Sequence, residues 1–215
     1  NINGEMIIAN TNGLNITTSG GNVLFGGLIN SGNTYAGVNS GAITWTNAVT
    51  AARGATGGAA AVNDTYLATI TSRLENSIAG RAVSYNPSWL GGRRVVGIGT
   101  NGLWRWVTGT EGTMDGGNGL GFFLQNGSDA VNISGGTSYN GGYSNWNPGE
   151  PNGGPLGAEN ESALQIVGNE GQWNDLPRTG TSLNYYVQET NLAASPLTVN
   201  AGAGTVTFSG AVGGS

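Results

Sequence analysis

The chain contains no cysteine, no histidine and no lysine. Without cysteine there is no disulfide, so the core must hold unaided. Without cysteine and histidine, thiol chemistry, zinc and haem ligation and most nucleophile–base pairs are also closed off. If a metal binds, its ligands are oxygens. Seven arginines against twelve acidic residues give a net charge of −5. Affinity for phosphate comes from clustered Lys and Arg, so nucleic acid is not an expected partner. No apolar run is long enough to cross a bilayer and no signal peptide is present, so any export signal is expected outside this chain or already removed.

Glycine is abundant, with 41 among 215 residues, alongside many Asn, Thr and Ser. Strands joined by tight turns need Gly and Asn wherever φ is positive, so the composition predicts a β-rich, turn-rich secreted protein. Six Trp, seven Tyr and four Phe, with Leu, Ile and Val between them, are too much apolar material for a disordered chain. The length suits one large domain or one medium domain with flanking pieces.

The two ends resemble each other. Leu14-Asn15-Ile16-Thr17 and the following Gly21-Asn22-Val23-Leu24-Phe25 line up with Leu197-Thr198-Val199-Asn200 and Gly204-Thr205-Val206-Thr207-Phe208 at a constant offset. Apolar residues keep the alternation of half-buried strands, and Gly falls at the same turns. Repeats of this size are similar to the strand–turn units of β-solenoid stalks in large bacterial surface proteins, whose units bury an apolar face only by stacking. The alternative is one small β-sandwich closed by both ends. Residues 1–40 and 193–215 are therefore assigned as N-terminal and C-terminal β-repeat segments, which pair with or resemble one another.

Residues 41–192 have a different texture. Thr44 can cap a helix running through Trp45, Ala48, Val49 and Ala52 to Gly54, with its apolar residues on one face. Ser72 can cap a second, Glu75 reaching back to complete a capping box, and the helix continues through Leu74, Ile78 and Val83. Two helices in a strand background predict an α+β unit. Within it, Glu150-Pro151-Asn152 and Trp173-Asn174-Asp175, with Glu159 and Glu161 between, concentrate the carboxylate and amide oxygens that a hard cation such as Ca2+ takes.

In order along the chain, Trp45-x-x-Ala48-x-x-x-Ala52, Tyr66 to Ser72 with Glu75-Asn76, Trp89-Leu90-Gly91-Gly92, Trp104-Arg105-Trp106, Tyr143-Ser144-Asn145-Trp146, Glu150-Pro151-Asn152, Trp173-Asn174-Asp175 and Tyr186-Val187-Gln188-Glu189 resemble a C-type lectin-like domain. The resemblance implies a fold of two helices, antiparallel strands and a long loop region. Ala52, Ala163 and Gln188 stand where family members usually carry cysteines, so this is similar to cysteine-free bacterial forms. The Gly-rich stretch from Gly112 to Gly142 exceeds a compact loop, and an Ω-loop or an extra hairpin is expected there.

The resemblance further implies a cis Glu150–Pro151 bond and a calcium site made by Glu150, Asn152, Glu161, Asn174 and Asp175, with Glu159 as the alternative to Glu161. Asn174 would give its amide oxygen, and Asp175 its carboxylate and backbone carbonyl. Gly153 and Gly154 make a second calcium less expected. The same five residues would bind two adjacent sugar hydroxyls, and Glu-Pro-Asn is associated with fucose-, mannose-, glucose- or N-acetylglucosamine-type glycans. Protonation of the ligands predicts calcium affinity falling below about pH 5. Trp89, Trp104, Trp106 and Trp173 are expected in the core. Tyr143 and Trp146 could flank a sugar, and Arg93-Arg94 suit a solvated strand edge.

The function expected is a calcium-dependent carbohydrate-binding module of a bacterial adhesin. It would be extracellular, attach to host or microbial surfaces, and adjoin neighbouring repeats of a larger chain, without membrane insertion. A sugar-independent protein- or ice-binding module on the same fold is the alternative. Glycosidase chemistry by Glu150 and Glu161 is disfavoured because carboxylates committed to a metal do not hold a raised-pKa proton, so no enzymatic activity is expected.

Overall fold

A computed structural model of the chain describes residues 6–8, 14–25, 29–31, 33–54, 63–95, 102–126, 134–153, 161–192 and 197–209. Two compact units are formed. One comprises Tyr35–Glu189, and the other is assembled from both ends, Asn1–Thr34 and Thr190–Ser215.

In chain order, the strands β1 (Met6–Ile8), β2 (Leu14–Thr17), β3 (Val23–Phe25) and β4 (Ile29–Ser31) come first. Then follow β5 (Thr34–Ile43), α1 (Trp45–Ala51), β6 (Thr65–Leu67), α2 (Arg73–Ala82), β7 (Ser88–Val95) and β8 (Leu103–Trp106). After these come α3 (Gly109–Gly112), α4 (Met114–Gly117), β9 (Leu120–Gln125), β10 (Gly136–Ser138), β11 (Ala163–Val167), β12 (Gln172–Leu176) and β13 (Leu183–Thr190). The last two are β14 (Leu197–Asn200) and β15 (Val206–Phe208).

In the unit made from the termini every strand pair among the described residues is parallel. β2 lies on β14 with Leu14 opposite Leu197 and Ile16 opposite Val199. β3 lies on β15 with Val23 opposite Val206 and Phe25 opposite Phe208, and β1 pairs with β4. The register between the two ends is thus the offset at which their sequences align. Like apolar residues stack on like, and the Phe25 and Phe208 rings are stacked nearly parallel with centroids 5.0 Å apart. Val23, Phe25 and Ala201 form a small buried core against Leu14, Ile16, Leu197, Val199 and Val206. Parallel neighbours cannot be joined by a hairpin, and here the connection from β2 to β14 passes through the whole of the other unit.

The Tyr35–Glu189 unit is α+β and strand-rich. Its sheet runs β10-β9-β8-β7-β11-β12, with β13 pairing β5, β6 and β7. Both helices begin where the sequence places them. Thr44 caps α1 by accepting from the Asn47 N–H, and Ser72 and Glu75 complete the capping box of α2. The core is aromatic: Trp89, Trp104, Trp106 and Trp173 are all fully buried. Trp106 stacks on Phe122 at 4.6 Å and meets Trp173 edge-on at 5.6 Å, arrangements that suit the ring quadrupoles. Gln188 donates through Nε2 to the Ala52 carbonyl at 3.0 Å, so an amide hydrogen bond links two of the positions expected to hold cysteine in a disulfide-bonded relative.

Two expectations resolve differently from one another. The Gly-rich stretch holds an extra hairpin, β9 with β10, in which Gln125 faces Gly136 and Phe123 faces Ser138, after the one-turn helix α3 and the segment α4, which is broken by left-handed residues at Asp115 and Gly116. Arg93 and Arg94 do not lie on a solvated edge. β7 is an interior strand flanked by β8 and β11, and Arg94 is only 2% exposed. An apolar-polar pattern cannot distinguish an edge arginine from one that is buried because its donors are satisfied from a distant loop.

Candidate functional site

β12 supplies the floor of the site. Its alternation puts Trp173 and Asp175 inward and leaves Gln172 and Asn174 half-buried. The segment before the cis Glu150–Pro151 peptide runs alongside it: Trp173 donates its N–H to Asn145 O at 2.7 Å, and Asn147 donates to Trp173 O at 2.9 Å. A turn closed by Glu150 N–H to Asn147 O at 2.9 Å then delivers Glu150, Pro151, Asn152 and Gly153 over the end of β12.

Asp175, 1% exposed, is the anchor. Its two oxygens accept the backbone N–H groups of Asn152 at 3.0 Å and Gly153 at 2.9 Å. The Asn152 amide donates to Glu150 Oε1 at 2.9 Å, so these two side chains lie on one side of the loop. Glu150 Oε2 is buried and finds no N–H or hydroxyl donor among the described residues, the Asp175 carboxyl being its neighbour. Burial first, and then Asp175, push the Glu150 carboxyl up to about 7. Burial also raises Asp175, and raises Glu161 together with the charge of Asp175.

Glu161 reaches the same place from the other side. A Cβ on Gly153 would come within 2.6 Å of both Asp175 Oδ2 and Glu161 Cβ, so only glycine lets the loop pass between them. Asn174 lies beside Asp175, but its Nδ2 donates to Gln165 Oε1 and to the Asp175 carbonyl, both at 3.1 Å. That carbonyl thus accepts one N–H and keeps a second lone pair. Glu159 lies outside the described residues. Among the described residues no three acidic groups close into a cluster able to hold a metal ion. The donor set is nevertheless all oxygen, carries three carboxyls with raised pKa values, and leaves one buried oxygen without a donor. In charge and ligand chemistry it suits a hard cation.

Arg94 and Gln125, absent from the sequence-derived set, hold this loop from behind. Arg94 Nη1 donates to Gly153 O at 3.1 Å and to Gln125 Oε1 at 3.2 Å. Gln125, fully buried, points Nε2 at the Pro151 and Gly153 carbonyls at 3.4 and 3.5 Å, and its Oε1 also accepts Trp104 Nε1 at 3.1 Å. Burial lowers the proton affinity of the guanidinium, and Asp175 and Glu161 offset part of that loss. It is the fixed positive charge behind the acidic loop. The signal available in sequence was a charge within the apolar run from Trp89 to Val96, without any indication of its partner.

Trp146 is half-buried and packs against the core: its ring meets Trp104 at 4.9 Å and Trp173 at 5.9 Å, both edge-on. Tyr143 is half-buried, edge-on to Trp173 at 5.6 Å.

No family model and no curated protein matches the chain. Among solved structures it is similar to the cow C-type carbohydrate-recognition domain of CD23 determined in the presence of a GlcNAc2Man3 oligosaccharide, with 24% identity, 74% of this chain and 87% of that chain covered, and a TM-score of 0.46. It is similar to the C-type lectin CEL-I from Cucumaria echinata, with 17% identity, 74% and 90% coverage and a TM-score of 0.45. The mouse scavenger receptor C-type lectin carbohydrate-recognition domain gives 18% identity, 76% and 93% coverage and a TM-score of 0.45. At this identity and TM-score the likeness assigns no function, so the chemistry of the loop rests on its own residues.

Proposed function

We propose that the Tyr35–Glu189 unit is a C-type lectin-like carbohydrate-binding module that uses one Ca2+ held by Glu150, Asn152, Glu161, Asn174 and Asp175. The observation that carries this is the loop itself: Asp175 fastens Asn152 and Gly153 by their N–H groups while Glu150 keeps a buried oxygen with no donor. A bound cation would supply the missing positive charge and a coordination position for a vicinal diol. The protein's part is to hold Glu150 as acceptor and the Asn152 amide as donor for two adjacent hydroxyls, which suits fucose- or mannose-type glycans. The parallel, in-register strands of the other unit support a rung of a β-solenoid, with the lectin-like unit spliced into the turn between β4 and β14. On this reading the chain is part of an extracellular bacterial adhesin whose neighbouring repeats continue the stack, and it is not an enzyme.

Isothermal titration with methyl α-mannoside and with fucose, in Ca2+ and then in chelator, tests the reading. Weak binding is expected, roughly millimolar as for a single small contact, and its Ca2+-dependent part should be lost in chelator and in Glu150→Gln. No heat with either sugar at saturating Ca2+ would overturn the lectin assignment. Ca2+-dependent capture of a protein or of ice without any sugar response would favour the alternative module.

A further inference from the structure

A second ligand cleft lies between α2 and the turn joining β11 to β12, made by groups that the metal loop does not use. It has a volume of about 330 Å³ and is lined chiefly by Arg73, Asn76, Tyr85, Tyr143, Asn145 and Glu170. That volume falls within the range of small-ligand sites, roughly 300–1,000 Å³.

Its walls are set in advance. At the end of α2, Ser84 (φ 51°) and Tyr85 (φ 57°) both adopt the left-handed conformation, although neither is glycine. Such residues are strained and tend to collect at functional sites. The chain is held there by Ser84 N–H to Arg81 O at 2.9 Å and Tyr85 N–H to Gly80 O at 2.7 Å. The result is to lay the Tyr85 ring on Gly80, where an added Cβ would come within 2.6 Å of Tyr85 Cε1. Across the cleft, Tyr143 is braced on Trp173. Asn76 and Asn145 are fixed by bonds to the Gly171 carbonyl at 3.0 and 2.9 Å, and Asn76 Oδ1 also accepts Trp173 Nε1 at 2.7 Å. Arg73 and Glu170 make no ion pair among the described residues, which leaves both heads available to a ligand.

The chemistry narrows the ligand. Amides, phenols and one charge of each sign are a poor lining for an apolar molecule. One arginine with a glutamate nearby does not make a phosphate site, which needs clustered cations. Two tyrosine rings beside Arg73 and Glu170 suit a neutral polyhydroxylated ring, with apolar C–H faces against the aromatics and hydroxyls toward the arginine and the glutamate, while the buried Asn76 keeps its own polar atoms on Gly171 and Trp173. We propose that the cleft between Tyr85 and Tyr143 is a second saccharide subsite that binds neutral pyranosides without a metal.

The test is a chelator titration of the whole chain with N,N′-diacetylchitobiose and with mannobiose, followed by 1H–15N NMR. Millimolar binding is expected in chelator, with shifts at Tyr85, Asn145 and Glu170. Tyr85→Asn keeps a residue that tolerates positive φ while deleting the ring, and should weaken binding at least tenfold; Arg73→Ala should weaken it several-fold. Neither should change Ca2+-dependent binding at the metal loop. The subsite is refuted if neither disaccharide shifts these residues in chelator, or if Tyr85→Asn, with its NMR dispersion intact, binds as tightly as the parent chain. The outcome is separable from the calcium reading, because Glu150→Gln would abolish the Ca2+-dependent sugar response and leave the chelator-resistant response in place.

Discussion

The metal-free protein should lose stability as pH rises from about 4.5 to about 7, and Ca2+ should reverse that trend. Glu150 has its carboxyl raised from the ordinary 4.5 to about 7, by burial first and then by Asp175. It binds its proton more tightly folded than unfolded, so its contribution is fully present below the unfolded pKa and is lost as pH rises through the folded one. At about 1.4 kcal/mol per pH unit the full effect would be roughly 3 kcal/mol. Glu150 is only half-buried, so water screens it, and about 1 kcal/mol is the expected size. For a chain of this length that is a fall of about 2–4 °C in melting temperature. Glu75, Glu161 and Asp175 are raised as well and act in the same direction. With Ca2+ present, proton and cation compete for the same oxygens. The Ca2+-induced gain in melting temperature should therefore grow toward neutral pH, and affinity should begin to fall near pH 7 rather than below about pH 5 as unperturbed carboxylates would give. Circular-dichroism melts in chelator and in Ca2+, at about pH 5 and about pH 8, measure both slopes. A melting temperature in chelator that rises with pH, or a Glu150→Gln protein with the parent's slope, would refute the argument.

Gly153→Ala should abolish Ca2+ binding measured by titration and also lower the melting temperature in chelator, because the added methyl meets the buried Asp175 carboxylate and the Glu161 backbone at a buried position. Asn76→Ala strands the buried Trp173 indole N–H and removes one of two donors to the Gly171 carbonyl, and urea unfolding should show a loss of about 1–3 kcal/mol. Cysteines introduced together at Ala52 and Gln188, which already meet through a hydrogen bond, should form a disulfide on oxidation and add roughly 2–4 kcal/mol, read by thiol titration and urea midpoint. Gln125→Leu removes the amide facing the Pro151 and Gly153 carbonyls, and hydrogen exchange of the loop amides at Asn152 and Gly153 should rise at least tenfold in chelator.

What could be derived from the residues alone was local or periodic. Thr44 and the Ser72–Glu75 pair mark helix starts because a cap bonds a backbone N–H only three residues away. The likeness of the two ends was present in their alignment, but that they pair, in parallel and at that offset, was decided by the fold, since like apolar residues can stack or merely resemble one another. The oxygen-rich loop was recognisable from its own tripeptides. Folding alone decided how those oxygens are spent. Asp175 is used on the Asn152 and Gly153 N–H groups, and the Asn174 amide turns its nitrogen to the Asp175 carbonyl. Arg94 and Gln125, on strands far from the loop in sequence, become its support, and Tyr85 joins Tyr143 across a cleft. Such partners have no sequence period to betray them, because a side-chain hydrogen bond is set by distance in space, and only the completed sheet brings β7, β9 and β12 under one loop.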